Sequence, residues 1–246
     1  MLSKRLIKYF KSLQLKKYRL QERKFLVEGA KGVSEVLKSG FQVTHLLTTS
    51  SYLSSITSEL EDKAEEILEC KPTDLAQVGT FKTNNAAIAV VKIPDSQTLV
   101  VPEDRLSIVL DDVRDPGNLG TIIRIADWYG IENIYCSKET ADVYNPKVIN
   151  ATMGSFTRVA IHYVDIQALL SSISLPIYGA LLSGDSIYKS DLKQSGLVVM
   201  GNESNGISED LIPYISHALQ IPARGGAESL NVAIATAVIL DNFYRS

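Results

Sequence analysis

The stretch LSIVLDDVRDPGNLG, residues 106–120, decides the fold of the second half of the chain. Its first five residues are mostly apolar, which is typical of a strand buried on both faces of a sheet. Asp111 and Asp112 close this run, and the pattern of residues 120–129 then predicts a helix. A buried strand, a polar loop and a helix in this order form the building unit of a parallel α/β sheet.

The same alternation continues through the rest of the second half. Further strands are predicted at residues 133–136, 158–164, 177–182, 197–200 and 218–221, and further helices at 146–153, 166–173 and 229–244. The pattern therefore predicts a parallel sheet with helices between its strands.

Strands and helices also alternate in the first half. Strands are predicted at residues 24–29, 43–49, 65–70 and 86–93, and helices at 30–38, in an acidic segment before residue 65, and from Pro72. Residues 94–102 begin and end with proline and contain Asp95, Ser96 and Gln97, which is typical of a linker. We therefore expect two domains, residues 1–97 and 98–246.

The formal charge of −3 is distributed unevenly. Residues 1–31 hold ten Lys or Arg against two Glu, whereas the remainder holds 15 basic against 26 acidic residues. A local basic segment is typical of a phosphate-contacting arm, and Tyr9, Phe10 and Tyr18 are candidates for stacking on unpaired bases. We expect seven basic residues to contact RNA: Lys4, Arg5, Lys16, Lys17, Arg19, Arg23 and Lys24.

A solvated amphipathic helix is the alternative interpretation of the basic segment. Its apolar residues recur at near-helical spacing: Leu2, Leu6, Ile7, Phe10 and Leu13. We favour nucleic-acid binding over this alternative.

Composition excludes several other classes of protein. The longest apolar runs fall far short of the roughly 20 residues that cross a bilayer, and the N-terminus lacks the apolar core of a signal peptide. We therefore expect a cytoplasmic protein that does not enter a membrane. Cys70 and Cys136 lie far apart, and the three histidines share no ligand spacing with them, so neither a disulfide framework nor a metal site is expected.

Three polar loops follow predicted strands: residues 111–120, 201–206 and 222–231. Ligands of parallel sheets bind beyond the carboxyl ends of the strands, so these loops are expected to build one pocket. The motifs of three other enzyme classes do not match this sequence. Residues 201–208 have the spacing of a phosphate-binding P-loop, but Ile207 stands where Lys is required. Ser204 lacks the glycine that a nucleophile elbow requires two residues before its serine. No stretch matches the glycine fingerprint of a dinucleotide-binding fold.

Three segments resemble, in order, the motifs of SpoU (TrmH-like) methyltransferases: NLGTIIR (118–124), VMGNESNG (199–206) and IPARGGAESLNVA (221–233). KFLVEG (24–29) resembles the small RNA-binding domain often found before that catalytic domain. The resemblance implies an α/β fold with a C-terminal parallel-sheet SPOUT domain containing a deep trefoil knot, preceded by a small α/β RNA-binding domain. It further implies S-adenosylmethionine bound in the knotted loops and a homodimer formed through the knotted domain. Periodicity alone would give a plain doubly wound sheet.

Arg124 is the residue that the resemblance assigns to the ribose 2′-hydroxyl. It acts either as a base or, because a guanidinium stays protonated, as an electrostatic stabiliser. Without the surrounding motif, a helical Arg paired with Asp127 would be the preferred interpretation. The resemblance adds four more active-site residues: Asn118, Glu203, Ser229 and Asn231.

Three of these four residues also have an ordinary alternative role. Asn118 fits a turn or helix start, Glu203 fits an exposed loop acid, and Ser229 fits a helix cap. The resemblance instead implies that Glu203 shapes the site near Arg124, for which pairing with Arg124 is one way. Arg224 departs from the family pattern, and either contacts RNA phosphate or balances Glu228.

Four residues are expected to line the adenosyl pocket, although they fit a simple core equally: Leu181, Gly201, Ile221 and Leu230. The favoured function is methylation of a ribose 2′-hydroxyl in RNA, with rRNA preferred over tRNA. A catalytically silent RNA-binding or ribosome-assembly protein of the same fold is the alternative. Methylation of a nucleobase or small molecule ranks third, and the sequence does not identify the target nucleotide.

Overall fold

A computed structural model describes residues 2–56, 60, 62–95 and 99–245. The chain forms two compact units, Met1–Gln97 with Asp142–Thr157, and Thr98–Ala141 with Arg158–Ser246. The expected domain boundary between residues 97 and 98 lies outside the described residues, as do Ser96 and Gln97 of the expected linker and parts of the expected acidic helix. Residues 142–157, which belong to the second half of the sequence, group with the first unit.

The first unit contains a four-stranded mixed sheet in the order β1-β4-β2-β3. The strands are β1 (Lys24–Glu28), β2 (Val43–Thr48), β3 (Ala64–Glu69) and β4 (Ala87–Lys92). β4 pairs antiparallel with β1 and β2, whereas β2 and β3 are parallel. The helices described in this half are α1 (Lys4–Ser12), α2 (Lys16–Glu22), α3 (Ala30–Leu37), α4 (Ser50–Leu53) and α5 (Pro72–Val78).

Helix α1 is amphipathic and is part of the core of this unit. Phe10 and Leu13 are fully buried and pack in one cluster with Leu75 and Val78 of α5. Apolar residues at helical spacing therefore bury one face of α1, while its Lys and Arg side chains stay in solvent. The burial corrects one expectation, because Phe10 is not accessible for stacking on a base.

Residues 142–157 complete the first unit. They contain α7 (Pro146–Thr152), and the rings of Tyr144 and Phe156 lie 4.6 and 5.9 Å from that of Phe25 on β1. Asn150 Nδ2 also donates to a carboxylate oxygen of Glu28 at 3.0 Å. The segment therefore covers Phe25, which is fully buried.

Arg19 differs from the role expected of it. Its side chain is 3% exposed, and Nη2 lies 2.6 Å from the Asp142 carboxylate. Nη1 donates to the carbonyl oxygens of Leu13 and Gln14. Arg19 therefore joins α2 to the 142–157 segment and does not face RNA, since solvent barely reaches it.

The second unit contains a six-stranded parallel sheet in the order β10-β8-β9-β5-β6-β7, as the sequence predicts. The strands are β5 (Leu106–Leu110), β6 (Asn133–Cys136), β7 (Ala160–Tyr163), β8 (Ile177–Ser186), β9 (Gly196–Met200) and β10 (His217–Gln220). The helices are α6 (Pro116–Trp128), α8 (Ile166–Ser171) and α9 (Val232–Phe243). All five residues of β5 are buried, which fits its position inside the sheet. The trefoil knot stays a prediction.

Two helices of this unit begin at residues other than those predicted. α6 starts at Pro116, because the Asp115 carboxylate accepts from the backbone N–H of Asn118 at 2.8 Å and proline suits the first helical position. α9 starts at Val232, because the Asn231 side chain accepts from the N–H groups of Ala233 and Ile234. Asn231 therefore caps α9, and the expectation that Ser229 does so is wrong. Across the part of the chain that the structure describes, no helix is long and apolar enough to span a membrane.

Candidate active site

Asn118 joins all three polar loops of the second unit. Its Nδ2 donates to Glu203 Oε1 at 2.6 Å, and its Oδ1 accepts from Asn231 Nδ2 at 2.9 Å. Asn118 lies in the first turn of α6, Glu203 follows β9, and Asn231 caps α9. The structure therefore brings together three of the five residues assigned to catalysis, one from each loop.

The loop that carries Glu203 is closed by its own backbone. Asn202 and Gly206 exchange two N–H···O bonds of 2.9 Å, and Asn202 Oδ1 accepts from the N–H groups of Ser204 and Asn205. Gly201 leaves no room for a side chain, since a Cβ there would lie 2.2 Å from the Gly206 carbonyl carbon. Glu203 is thus held at a tight turn although it is exposed.

Asp112 ties this loop to the end of β5. Its carbonyl oxygen accepts from Asn202 Nδ2 at 2.8 Å, and its N–H donates to Ser137 Oγ at 3.0 Å. Its φ of 58° lies in the left-handed region, which is uncommon for a residue other than glycine. The Asp112 carboxylate accepts from Arg114 Nε at 2.6 Å, and this hydrogen bond and charge raise the pKa of the guanidinium.

Sequence reasoning assigned no role to Asn202, Asp112 or Arg114. The only sequence signal was their position, within or next to motif residues. Their hydrogen bonds cross as many as 90 residues of sequence, so no local pattern reveals them.

Arg124 lies on the exposed face of α6 together with Gly117 and Thr121. Asp127, the acid expected to pair with it under the ordinary interpretation, is instead bonded to Arg158 at 2.8 and 2.9 Å. Within residues 99–245, the structure shows no hydrogen bond or ion pair to the Arg124 guanidinium, so the expected pairing with Glu203 is not formed either. Arg124 is therefore available to a ligand.

The residues expected to line the cofactor pocket lie along neighbouring strands. Leu181 is in β8, and Gly201 and Ile221 directly follow β9 and β10; all three are half-buried. Leu230 is 48% exposed. Apolar side chains beside closely approached backbone suit a ligand with a flat base and polar edges, so these residues fit an adenosyl group. Ser229 is exposed in the same loop, with no side-chain contact to Asn118 or Asn231 described.

A cleft of about 340 Å³ lies at the carboxyl ends of β5, β6 and β7. Asp111 and Ser208 line it, and the Asp111 carboxylate accepts from both the N–H and the hydroxyl of Ser208. Its lining includes none of the four described residues expected to contact the cofactor. No cluster of His, Cys, Asp and Glu that could hold a metal ion occurs among the residues that the structure describes.

The basic residues of the first unit differ in accessibility. Four are exposed on or beside α1 and α2: Lys4, Arg5, Lys16 and Lys17. Arg23 is exposed but bonded to Asp95 and to the carbonyl oxygens of Ile93 and Pro94. Lys24 is half-buried, with Nζ 3.4 Å from the Tyr9 hydroxyl. Tyr18 is exposed on α2, so it remains a candidate for stacking.

Two family profiles and a curated relative match the chain. The profile of the SpoU rRNA Methylase family matches residues 105–241, and that of the MRM3-like substrate binding domain matches residues 4–89. The chain is 31% identical over 238 residues to the 23S rRNA (guanosine(2553)-2′-O)-methyltransferase of Bacillus subtilis, covering 95% of this chain and 94% of that protein.

Two solved structures share the fold along nearly the whole chain. A TrmH-family protein from Porphyromonas gingivalis is 38% identical with a TM-score of 0.88, covering 99% of this chain and 98% of that one. An AdoMet-bound rRNA methyltransferase from Sinorhizobium meliloti is 28% identical with a TM-score of 0.89, covering 99% and 95%. The resemblance seen in the three motifs is confirmed, and the chain belongs to the SpoU rRNA methylase family.

Proposed function

We propose that this protein transfers a methyl group from S-adenosylmethionine to a ribose 2′-hydroxyl of rRNA. The observation that carries the proposal is the hydrogen-bonded chain Asn231–Asn118–Glu203, which joins the three loops at the start of the helix that exposes Arg124. The relatives support the choice of cofactor and substrate, since one is an AdoMet-bound rRNA methyltransferase and another is a 23S rRNA 2′-O-methyltransferase.

The cofactor would supply an electrophilic methyl group on a sulfonium. The half-buried backbone and side chains at Leu181, Gly201 and Ile221, with exposed Leu230, would hold its adenosyl part. Ser229 is also assigned to this active site, and the third motif is the sole ground for that assignment. The protein's task is then to align the ribose oxygen with the methyl carbon, which by itself accelerates a displacement strongly.

Arg124 acts as an electrostatic stabiliser in this proposal. A guanidinium keeps its proton throughout the working pH range, so it donates hydrogen bonds to the ribose oxygen as negative charge develops there. The bond from this oxygen to the methyl carbon would replace the carbon–sulfur bond, the hydroxyl proton would pass to water, and the sulfur would leave in a neutral thioether. Its lack of a described acidic partner leaves these donors for the substrate. Asn118, fixed by Glu203 and Asn231, keeps the start of α6 and the Glu203 loop in register.

The first domain, residues 1–97, would bind RNA through the exposed basic side chains of α1 and α2, and residues 98–246 would form the knotted methyltransferase domain. We also propose a cytoplasmic homodimer formed through the second domain. The relatives' names favour rRNA over tRNA as the substrate.

The test uses purified protein, methyl-labelled S-adenosylmethionine, and 23S rRNA and tRNA transcribed without modifications. Nuclease digestion and mass spectrometry then locate the label. Label on a ribose that is lost in Arg124→Ala supports the proposal. Label on a base contradicts the 2′-hydroxyl assignment, and RNA binding without transfer favours the silent RNA-binding alternative.

A further inference from the structure

Arg114 is an exposed arginine held at the rim of the candidate active site. We propose that it binds a backbone phosphate of the RNA substrate where the strand enters the site; this inference rests on the proposed function. Nothing in the three motifs assigns this residue a role, and its assignment comes from geometry and charge.

The Asp112 carboxylate orients the guanidinium of Arg114 through only one of its three nitrogens. Asp112 Oδ1 accepts from Nε at 2.6 Å, while the side chain is 69% exposed. A contact at Nε restricts the plane of the group, and neither terminal nitrogen has a described hydrogen bond within residues 99–245. Such a pair of parallel donors matches two oxygens of a phosphate, and prior orientation lowers the entropy lost on binding.

Asp112, the partner of Arg114, has a left-handed backbone conformation with φ of 58°. A left-handed φ at a non-glycine residue costs on the order of 1 kcal/mol, and such residues cluster at functional sites. Arg114 is mostly in solvent although the Asp112 side chain is only 18% exposed, so solvent weakens this ion pair, and the pair does not by itself explain the conformation of Asp112. Asn202 and Ser137 hold the Asp112 backbone from two sides. Asn202 also builds the loop of Glu203, so one side chain fixes both the phosphate-binding arginine and the catalytic loop.

The charges around the loop give the second argument. Between residues 106 and 131 the chain carries four aspartates and two cations, Arg114 and Arg124. Asp127 on α6 is bonded to Arg158, but the other three aspartates, at the end of β5 and in the loop after it, would repel the polyanionic RNA backbone unless a cation met it there. With Arg124 assigned to the ribose, Arg114 is the remaining cation of this segment.

The experiment compares wild type with Arg114→Gln, using the 23S rRNA transcript as the probe. Binding is measured by filter retention at several salt concentrations, and methyl transfer is measured at varied RNA concentrations. We expect the KM for RNA to rise about tenfold with kcat at saturating RNA changed less than about twofold, since one charge-assisted contact is lost. The slope of log K against log salt should become shallower by about 0.7–1, the value of one phosphate contact. The affinity for S-adenosylmethionine should not change.

Arg105→Gln is the matched control. Arg105 is also an exposed, paired arginine of the same unit, bonded to Asp104 and Glu132. It immediately precedes β5, so it lies at the amino end of that strand, opposite the loops. Arg105→Gln should leave the salt slope and KM unchanged. Arg114→Lys should keep the salt slope, because the charge remains, but raise KM partway, because the paired donors are lost.

The proposal is overturned if Arg114→Gln binds the transcript with the wild-type slope and KM, or if Arg105→Gln weakens binding equally. A melting temperature equal to that of wild type shows that the Arg114 variants are folded. If wild type binds the transcript but transfers no methyl group, the proposed function fails, whereas the salt slopes still decide the role of Arg114.

Discussion

Asn118 Nδ2 and Glu203 Oε1 lie 2.6 Å apart although 85 residues of sequence separate them. Glu203 thereby accepts a hydrogen bond from the first turn of α6, the helix that carries Arg124. The same amide accepts from Asn231, so its two polar atoms are both used within the site. The orientation of Asn118 is therefore set by its partners.

Glu203→Gln should retain more activity than Glu203→Ala. Glutamine keeps an oxygen that accepts from Asn118 but loses the charge, and a charge-assisted hydrogen bond is about twice as strong as a neutral one. We expect kcat to fall about tenfold in Glu203→Gln and about a hundredfold in Glu203→Ala, each measured with saturating RNA. Equal losses in the two variants would mean that the carboxylate charge, and not its contact with Asn118, is what matters.

Gly201→Ala should abolish cofactor binding, whereas Gly206→Ala should not. A Cβ at Gly201 would overlap the backbone of Gly206 and Ile207, so the loop would have to open. A Cβ at Gly206 meets open space, although its φ of 70° makes alanine unfavourable by about 1 kcal/mol. Calorimetric titration with S-adenosylmethionine distinguishes the two, and normal affinity in Gly201→Ala would exclude this loop from the cofactor site.

Asp142→Asn should destabilise the first unit. It removes the negative partner of the buried Arg19, and an uncompensated buried charge costs about 3 kcal/mol, or roughly 10 °C in melting temperature. Asp95→Asn is the matched control, because Asp95 and its partner Arg23 are both exposed and such a pair contributes little. The melting temperatures are measured by scanning calorimetry. The same small decrease for both substitutions would show that the ion pair between Arg19 and Asp142 does not stabilise the first unit.

His162 should make the second unit less stable in mild acid. Its ring stacks on Tyr135 and its Nε2 lies 3.0 Å from Asn133 Oδ1, and burial lowers its pKa below the ordinary 6.5. The unfolded chain then binds a proton at a higher pH than the folded one, so stability falls as pH drops below about 6.5 and levels off below the folded pKa. Hydrogen exchange of the β6 and β7 amides between pH 7 and 5.5 would show this loss. His162→Gln should remove it, and an unchanged pH profile in that variant would assign the effect to another group.

The local sequence pattern predicted the positions of strands well. The strand predicted at residues 133–136 is β6 as it stands, and the one at 197–200 differs from β9 by a single residue. Apolar periodicity fixes such elements because each reflects which face of a short segment is buried. Cap positions were less predictable. Ser229 and Asn231 both suit a helix start, and only the chain path selects Asn231.

The sequence pattern did not predict which individual side chains are buried. Arg19 and Phe10 belong to a basic, aromatic segment that predicts RNA contact, yet both are interior. Arg19 is buried because its guanidinium pairs with Asp142, an acid 123 residues away that no local sequence feature connects to it.

The sequence by itself determined the parallel sheet, the three polar loops, the family and the basic character of the first 31 residues, because each depends on residues close together in the chain or on an ordered set of motifs. Only the tertiary structure decided that residues 142–157 complete the first unit, that Asn118 links Glu203 to Asn231, and that Asp112 orients Arg114. These relationships depend on where the backbone brings distant residues together, and hydrogen-bond geometry is satisfied within a few tenths of an ångström that no periodicity encodes.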